Sequence, residues 1–530
     1  MSTVQHRLPL SKLRFTTPLI KDYLEQHPDL KPFYHRFPKI ESFKAQLEEK
    51  GANYTVSREE LVSVIRNQYK KITISSETDV HIELLKKPTA FTITTGHQLN
   101  LFSGPLYFWY KIISTLNLCN ELKKAYPSHD FIPVYWMASE DHDFDEINYF
   151  NFKGKKIRWH KESNGPVGRL KTDGLQELSK LLHLEFGLGQ HAERLSSLFE
   201  QAYAQNETLV DATRYLVNEL FKEEGLVIVD GDDVSLKKHF IPFIKEELSQ
   251  NTSHKKVEET IQGLSNYKIQ VNPREINLFY MEDDFRERIV EEKGVYSVLN
   301  TSIRFTQNEI LEEVAQHPEK FSPNVLLRPL YQEVVLPNLC YIGGGGELAY
   351  WLELKSYFES QRVTFPILMH RDMALVMTDK QLRKAQKLEL SPEDLFLDTT
   401  TLTKLKTQQL SSLQLDFSEL KTTLENQFKT LTQLASQTDP TFMGALQAQQ
   451  TKQIKGLNAL EKRLLKAEKK RHHEVLLRIT QLQQELFPGG GLQERITNFS
   501  ELYLEYGEGF KSKLLEELNP LELEVKVMIF

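Results

Sequence analysis

Two cysteines in 530 residues, Cys119 and Cys340, are too few for a disulfide framework or a cysteine-rich structural zinc site, and no zinc is expected. Uncharged apolar runs approaching the roughly 20 residues that span a bilayer are also missing. The opening residues MSTVQHRLPL lack the charged-then-apolar pattern of a secretory signal. No membrane partner is therefore expected, and the chain is assigned to the cytoplasm. Positive charge is not in surplus either. The net charge of −7 lacks the electrostatic footprint of a protein whose main partner is a nucleic-acid backbone.

What is present is an ordinary globular composition, 40% hydrophobic and 26% charged, in a chain too long for a single growing core. The β-favouring run Thr89–Thr95 ends in Gly96, and after a short loop Ser103-Gly104-Pro105 opens an apolar helix, with Ser103 a candidate N-cap. Phe131–Ala138 (FIPVYWMA) reads as a buried strand running into the acidic loop Ser139–Glu146. Gly225–Val229 and Leu336–Ile342 are two further strands, the first ending in Asp230-Gly231-Asp232-Asp233, the second in four glycines and a helix from Glu347. Strands alternating with helices and ending in Gly- or Asp-rich loops predict an α/β fold with a parallel sheet and a ligand crevice at the carboxyl ends of the strands.

The stretches about 151–220 and 236–320 are richer in charge and helix signals than a crossover needs, and read as insertions into a core spanning 1–379. Over 380–490, Phe417, Leu420, Leu424, Leu431 and Leu434 keep three-four spacing, and after a turn at Ser436–Pro440 a second helix continues through Leu457, Leu464 and Ile479 to Leu486. That predicts an antiparallel helical arm. The segment 491–530 returns to the core, its tail Leu521–Phe530 alternating like a strand.

Three loops are candidates for chemistry. Gly96, His97, Gln98 and Gly104 place backbone amides and an imidazole beside a helix N-terminus, which favours phosphate or carboxylate. Glu140, Asp141, His142 and Asp143 crowd carboxylates around a histidine after a buried strand, a setting for a general base or amine anchor. Gly343, Gly344, Gly345 and Gly346, followed by Glu347, let a ligand approach the backbone, with Arg328, Gln332 and Glu333 upstream able to reach the same crevice.

The segments TTGHQLNLFSGPLYFWYKI, FIPVYWMASEDHDFDEIN and SPNVLLRPLYQEVVLPNLCYIGGGGELAYW, with FPILMHRD and LQERITN further on, resemble the bacillithiol-biosynthesis cysteine-adding enzymes, the cysteine ligases. The resemblance covers nearly the whole chain. It implies a Rossmann-like core resembling class I aminoacyl-tRNA synthetases, two connecting-peptide insertions, and a C-terminal coiled coil through which two chains form a homodimer. It further implies that L-cysteine is joined to glucosaminyl malate, with ATP or another adenine nucleotide as the activating cofactor. Two other readings stand beside it: a nucleotidyl transferase activating another amino acid, and a non-catalytic dimeric nucleotide-binding scaffold.

Overall fold

Stretches dense in β-branched and aromatic residues become buried strands in the computed structural model, which describes residues 4–437 and 440–530. They are β1 (Ala90–His97), β2 (Asp130–Met137), β3 (Val227–Asp230), β4 (Asn338–Gly343) and β5 (Ile367–His370). All pair in parallel, in the order β3-β2-β1-β4-β5. In this doubly wound order the winding reverses between β1 and β4, which opens a crevice beyond their carboxyl ends. The first four strands fall where their apolar runs predict. The fifth lies within FPILMHRD, outside the predicted strands.

Helix α1 (Tyr107–Ala125) follows β1, α2 (Arg328–Val335) precedes β4 and α3 (Gly345–Leu352) follows it. Ser103 does not cap α1. Phe102, Ser103 and Gly104 all take positive φ, and the helix starts after Leu106. Asn498 holds this turn by donating its Nδ2 to the carbonyls of Phe102 (2.8 Å) and Gly104 (2.6 Å). The core against the sheet includes Phe91, Ile93, Phe131, Ile342 and Ile367, together with Cys119 and Cys340. Each large apolar side chain buried this way contributes about 1.5–3 kcal/mol.

The segment between β2 and β3 forms a one-turn helix (Phe144–Ile147), a short hairpin (Tyr149–Phe152 with Lys155–Arg158) and helices Leu175–Phe186, Gln190–Tyr203 and Leu209–Phe221. Between β3 and β4 the helix signals are met, Gln307–Gln316 among them, but a sheet that was not expected is added. Helices Ile241–Gln250 and Thr252–Gly263 lead into a five-stranded sheet built from Leu278–Met281, Arg286–Glu292, Val295–Val298, Arg304–Thr306 and Phe321–Pro323, each pair antiparallel. Strands such as RERIVEE have one wet face and too few apolar residues to show a period of two. The turn Lys293-Gly294, with both φ positive (52° and 82°), is the two-residue hairpin signal.

The chain divides into two compact units, residues 1–375 with 493–528 and residues 376–492 with 529–530. In the first, the N-terminal strand Val4–Pro9 pairs antiparallel with Glu524–Ile529. In the second, α4 (Ser418–Ala435) packs on α5 (Pro440–Arg471) around Phe428, Ala435 and Leu446. Of the predicted turn at Ser436–Pro440, Thr438 and Asp439 lie outside the described residues. The second arm helix is not continuous: His472 leaves helical geometry (φ −98°, ψ 19°) and α6 (His473–Leu486) starts afresh.

Candidate active site

A cavity of about 1040 Å³ opens at the carboxyl ends of β1 and β4, walled on its far side by the inserted sheet. This is where doubly wound sheets hold ligands. Gly96, His97, Gln98, Glu140, Asp141, Arg328, Gly344, Gly346 and Glu347 line it; Gly104, His142, Asp143, Gln332, Gly343 and Gly345 are not on its wall.

On the β1/β4 side the centre is an ion pair. Lys111, on α1 and 2% exposed, reaches both carboxylate oxygens of Glu347 (2.8 and 2.7 Å) and donates to the Gly96 carbonyl at 2.6 Å. Glu347 also accepts from the Tyr341 hydroxyl (2.6 Å) and the Gly344 amide (2.9 Å), and despite burial Lys111 and these donors hold its carboxyl down at about 2. Gly96 is glycine for space: a Cβ there would stand 3.2 Å from the Tyr341 hydroxyl. His97 ends β1 between the rings of Tyr107 and Phe108. Burial, with Lys111 nearby, pushes its imidazole down to about 3, so it is neutral, and its Nε2 has no hydrogen-bond partner among the described residues. A buried orphan nitrogen on a cavity wall is suited to meet a ligand.

Gly104 cannot serve as an anion cradle. Its amide donates to the Leu101 carbonyl and that of Leu106 to Thr497, so the amides expected to hold phosphate are spent. Its glycine is needed for backbone reasons: φ is +61°, and a Cβ would fall 2.7 Å from that of Asn100. In the glycine loop, the Gly343 carbonyl accepts from the Arg371 amide (2.9 Å). Gly345 and Gly346 supply the first two amides of α3.

The acidic loop after β2 separates its members. Glu140 is buried and pairs with Lys237 (2.7 Å), which also binds Asp232 (2.9 Å). Burial pushes the Glu140 carboxyl up, against the pull of Lys237. Asp141 is half-buried and accepts from Gln98 Nε2 at 2.7 Å. His142 is not on the cavity wall, and its Nδ1 accepts from the guanidinium of Arg286, which is, at 3.0 Å. Burial and Arg286 lower its pKa. Asp143 is exposed beyond the wall. Gln332 and Glu333 do not reach the crevice: Gln332 accepts from Arg328 (3.0 Å), and Glu333 is buried with Asn338 (2.7 Å) and Lys50 (3.6 Å). Arg328 has no carboxylate within ion-pair distance among the described residues, which leaves it open to an anionic ligand.

Seven basic side chains and four carboxylates line the cavity, a local positive surplus in a chain of net charge −7. Three of the arginines come from the insertion between β3 and β4: Arg274 from a loop, Arg286 and Arg288 from alternate positions of one strand, hence the same face.

Comparison with known proteins agrees in both halves of the chain. Residues 6–372 match the family model described as Bacillithiol biosynthesis BshC, N-terminal Rossmann-like domain, and residues 374–530 match its C-terminal coiled-coil domain. The chain belongs to the BshC family. Relatives named "Putative cysteine ligase BshC" include one from Flavobacterium johnsoniae, 55% identical over 96% of this chain and 97% of its own. Another, from Christiangramia forsetii, is 53% identical over 97% of each chain. A more distant one from Bacillus cytotoxicus is 30% identical over 87% of this chain and 88% of its own.

In this BshC-family chain, sequence reasoning missed Lys111, Tyr107, Arg274, Arg286, Arg288, Arg371 and Arg495 on the cavity wall. A signal existed for two of them. Lys111 is a lone charge in the apolar stretch from Tyr107 to Cys119, and Arg371 follows the short apolar run of β5 by one residue. The three arginines of the insertion had no such signal, because charge there reads as solvated surface.

Proposed function

We propose that this chain carries out the last step of bacillithiol biosynthesis in the cytoplasm, forming an amide between the cysteine carboxyl and the amine of glucosaminyl malate. The observation that carries the proposal is the positive cavity at the β1/β4 switch point with a half-buried carboxylate, Asp141, on its rim. The malate part of the acceptor is a dicarboxylate, matched by Arg286 and Arg288 on one face of their strand. Asp141, oriented by Gln98, takes the proton that the attacking amine must lose as the carbon–nitrogen bond forms. Glu140, next to it in the chain, is fixed by Lys237. The neutral His97 offers a hydrogen bond to the reacting carboxyl without adding charge.

Amide formation from a free carboxylate in water is uphill, and an adenine nucleotide, when bound, supplies the activation. The amide of Gly346, with Arg328 and Arg371, is what would hold its phosphates. Exposed apolar residues on the arm, among them Leu420, Leu431, Leu434, Phe442 and Leu460, support a homodimer formed through it. The test is low-molecular-weight thiol profiling of the source organism with and without the gene. Loss of bacillithiol with accumulation of glucosaminyl malate is expected; unchanged pools of both would overturn the assignment.

A further inference from the structure

Beside the crevice lies a smaller cavity of about 290 Å³. The two share Gln98, Tyr107, Glu146 and Arg495, so they adjoin where these four side chains stand. Glu146 accepts from Gln98 Nε2 at 3.0 Å and has no basic partner within ion-pair distance among the described residues. Arg495 lies with its guanidinium carbon 5.9 Å from the centre of the Tyr107 ring, and it too lacks a carboxylate partner. Both charges influence the Tyr107 hydroxyl, Arg495 favouring and Glu146 opposing its ionisation, yet they do not pair with each other. Two opposite charges set apart in one small pocket present complementary ends to a zwitterion.

A second observation points to the same ligand. Asn100 lines this pocket and is only 8% exposed; its Nδ2 donates to the Glu146 carbonyl (3.2 Å), but its side-chain oxygen has no partner among the described residues. A buried acceptor of this kind requires a donor, and an ammonium beside Glu146 supplies one. The remaining wall includes Pro105, Phe150 and Ile496, a surface for a small apolar side chain.

We infer that this pocket is the amino-acid subsite. The α-ammonium sits between Glu146 and the Asn100 oxygen, and the α-carboxylate lies on Arg495 at the mouth of the crevice. The side chain points in among Pro105, Phe150 and Ile496. This rests on the ligase reading for the identity of the amino acid as cysteine. It places the carboxyl where the amine of the acceptor arrives, and it assigns selection of the zwitterion to residues outside the glycine loop.

The test is calorimetric titration of the full chain and its Arg495→Gln and Glu146→Gln variants with L-cysteine, cysteamine, which lacks the carboxylate, and 3-mercaptopropionate, which lacks the amine. Each variant is expected to weaken L-cysteine by about tenfold or more, the loss of one charge-assisted contact. Arg495→Gln should leave cysteamine unchanged and Glu146→Gln should leave 3-mercaptopropionate unchanged. Both side chains are exposed, so thermal unfolding should match the parent. Cysteine binding that neither variant weakens overturns the subsite and leaves the ligase reading intact. Preference for a different α-amino acid, weakened by the same two variants, upholds the subsite and overturns cysteine as the substrate. No binding of any amino acid by the parent chain overturns the subsite.

Discussion

The loops after β4 and after β2 both bring carboxylates to the same crevice, but their surroundings put those carboxylates to opposite uses. Glu347 is satisfied on every side by Lys111, Tyr341 and the Gly344 amide, and its carboxyl is held at about 2. Such a group stays ionised at any working pH and cannot exchange a proton; it ties α1 to the start of α3. Asp141 accepts from Gln98 Nε2 on one oxygen and from the backbone amides of His142 (2.8 Å) and Asp143 (3.4 Å) on the other, all of them neutral donors, and keeps about a third of its side chain in solvent. A carboxylate with spare acceptor capacity beside an open cavity is free to take a proton or bind an amine. Saturation makes scaffold, and incomplete satisfaction leaves chemistry available.

Removing the cation from the saturated side should have the largest effect. Lys111→Met leaves Glu347 without its counter-charge, and breaking a buried pair by deleting one partner costs about 3–5 kcal/mol, to be read from urea unfolding. A loss below about 1 kcal/mol would erase the contrast. On the open side, Asp141→Asn should lower ligase turnover by about 100-fold or more while the melting temperature stays at the parent value. A melting temperature that fell with activity would make Asp141 scaffold as well.

A subtler version of the comparison involves Glu353, which follows α3. It is buried without a cation, accepts from the amides of Gln270 (2.7 Å) and Val271, and burial raises its carboxyl to about 7. The two residues it holds lie on the crevice wall. Because the folded chain binds this proton more tightly than the unfolded chain, the stability it contributes is present below pH about 4.5 and lost as pH rises through about 7. Over that interval the parent should lose on the order of 2 kcal/mol relative to Glu353→Gln, measured by unfolding at a series of pH values. Parallel curves would show that the group is ionised and solvated. The smallest effect is expected at Gly346, where a Cβ meets nothing within 4 Å. Gly346→Ala should raise stability by less than about 1 kcal/mol, whereas a loss would show that the helix start tolerates no side chain.

Much of this was readable in advance because the relevant signals are local. The runs FTITT and FIPVYWM can only be satisfied as buried strands, and Gly- and Asp-rich loops after such strands mark the crevice edge of a parallel sheet. The same logic located His97, Asp141 and Glu347. It failed for Gly104, whose glycine answers to Asn100 and a positive φ, and for His142, whose ring is claimed by an arginine 144 residues away.

By itself, then, the sequence determined the parallel sheet, the helical arm, the family and the strand ends at which the cavity opens, since each depends on residues close together in the chain. Tertiary structure decided which charges are available. Whether Glu347 meets Lys111, whether Arg286 and Arg288 face the cavity, and whether Glu146 and Arg495 share a pocket without pairing all depend on contacts between distant segments. Burial and partners at those contacts set each group's protonation and freedom, and no pattern along the chain encodes them.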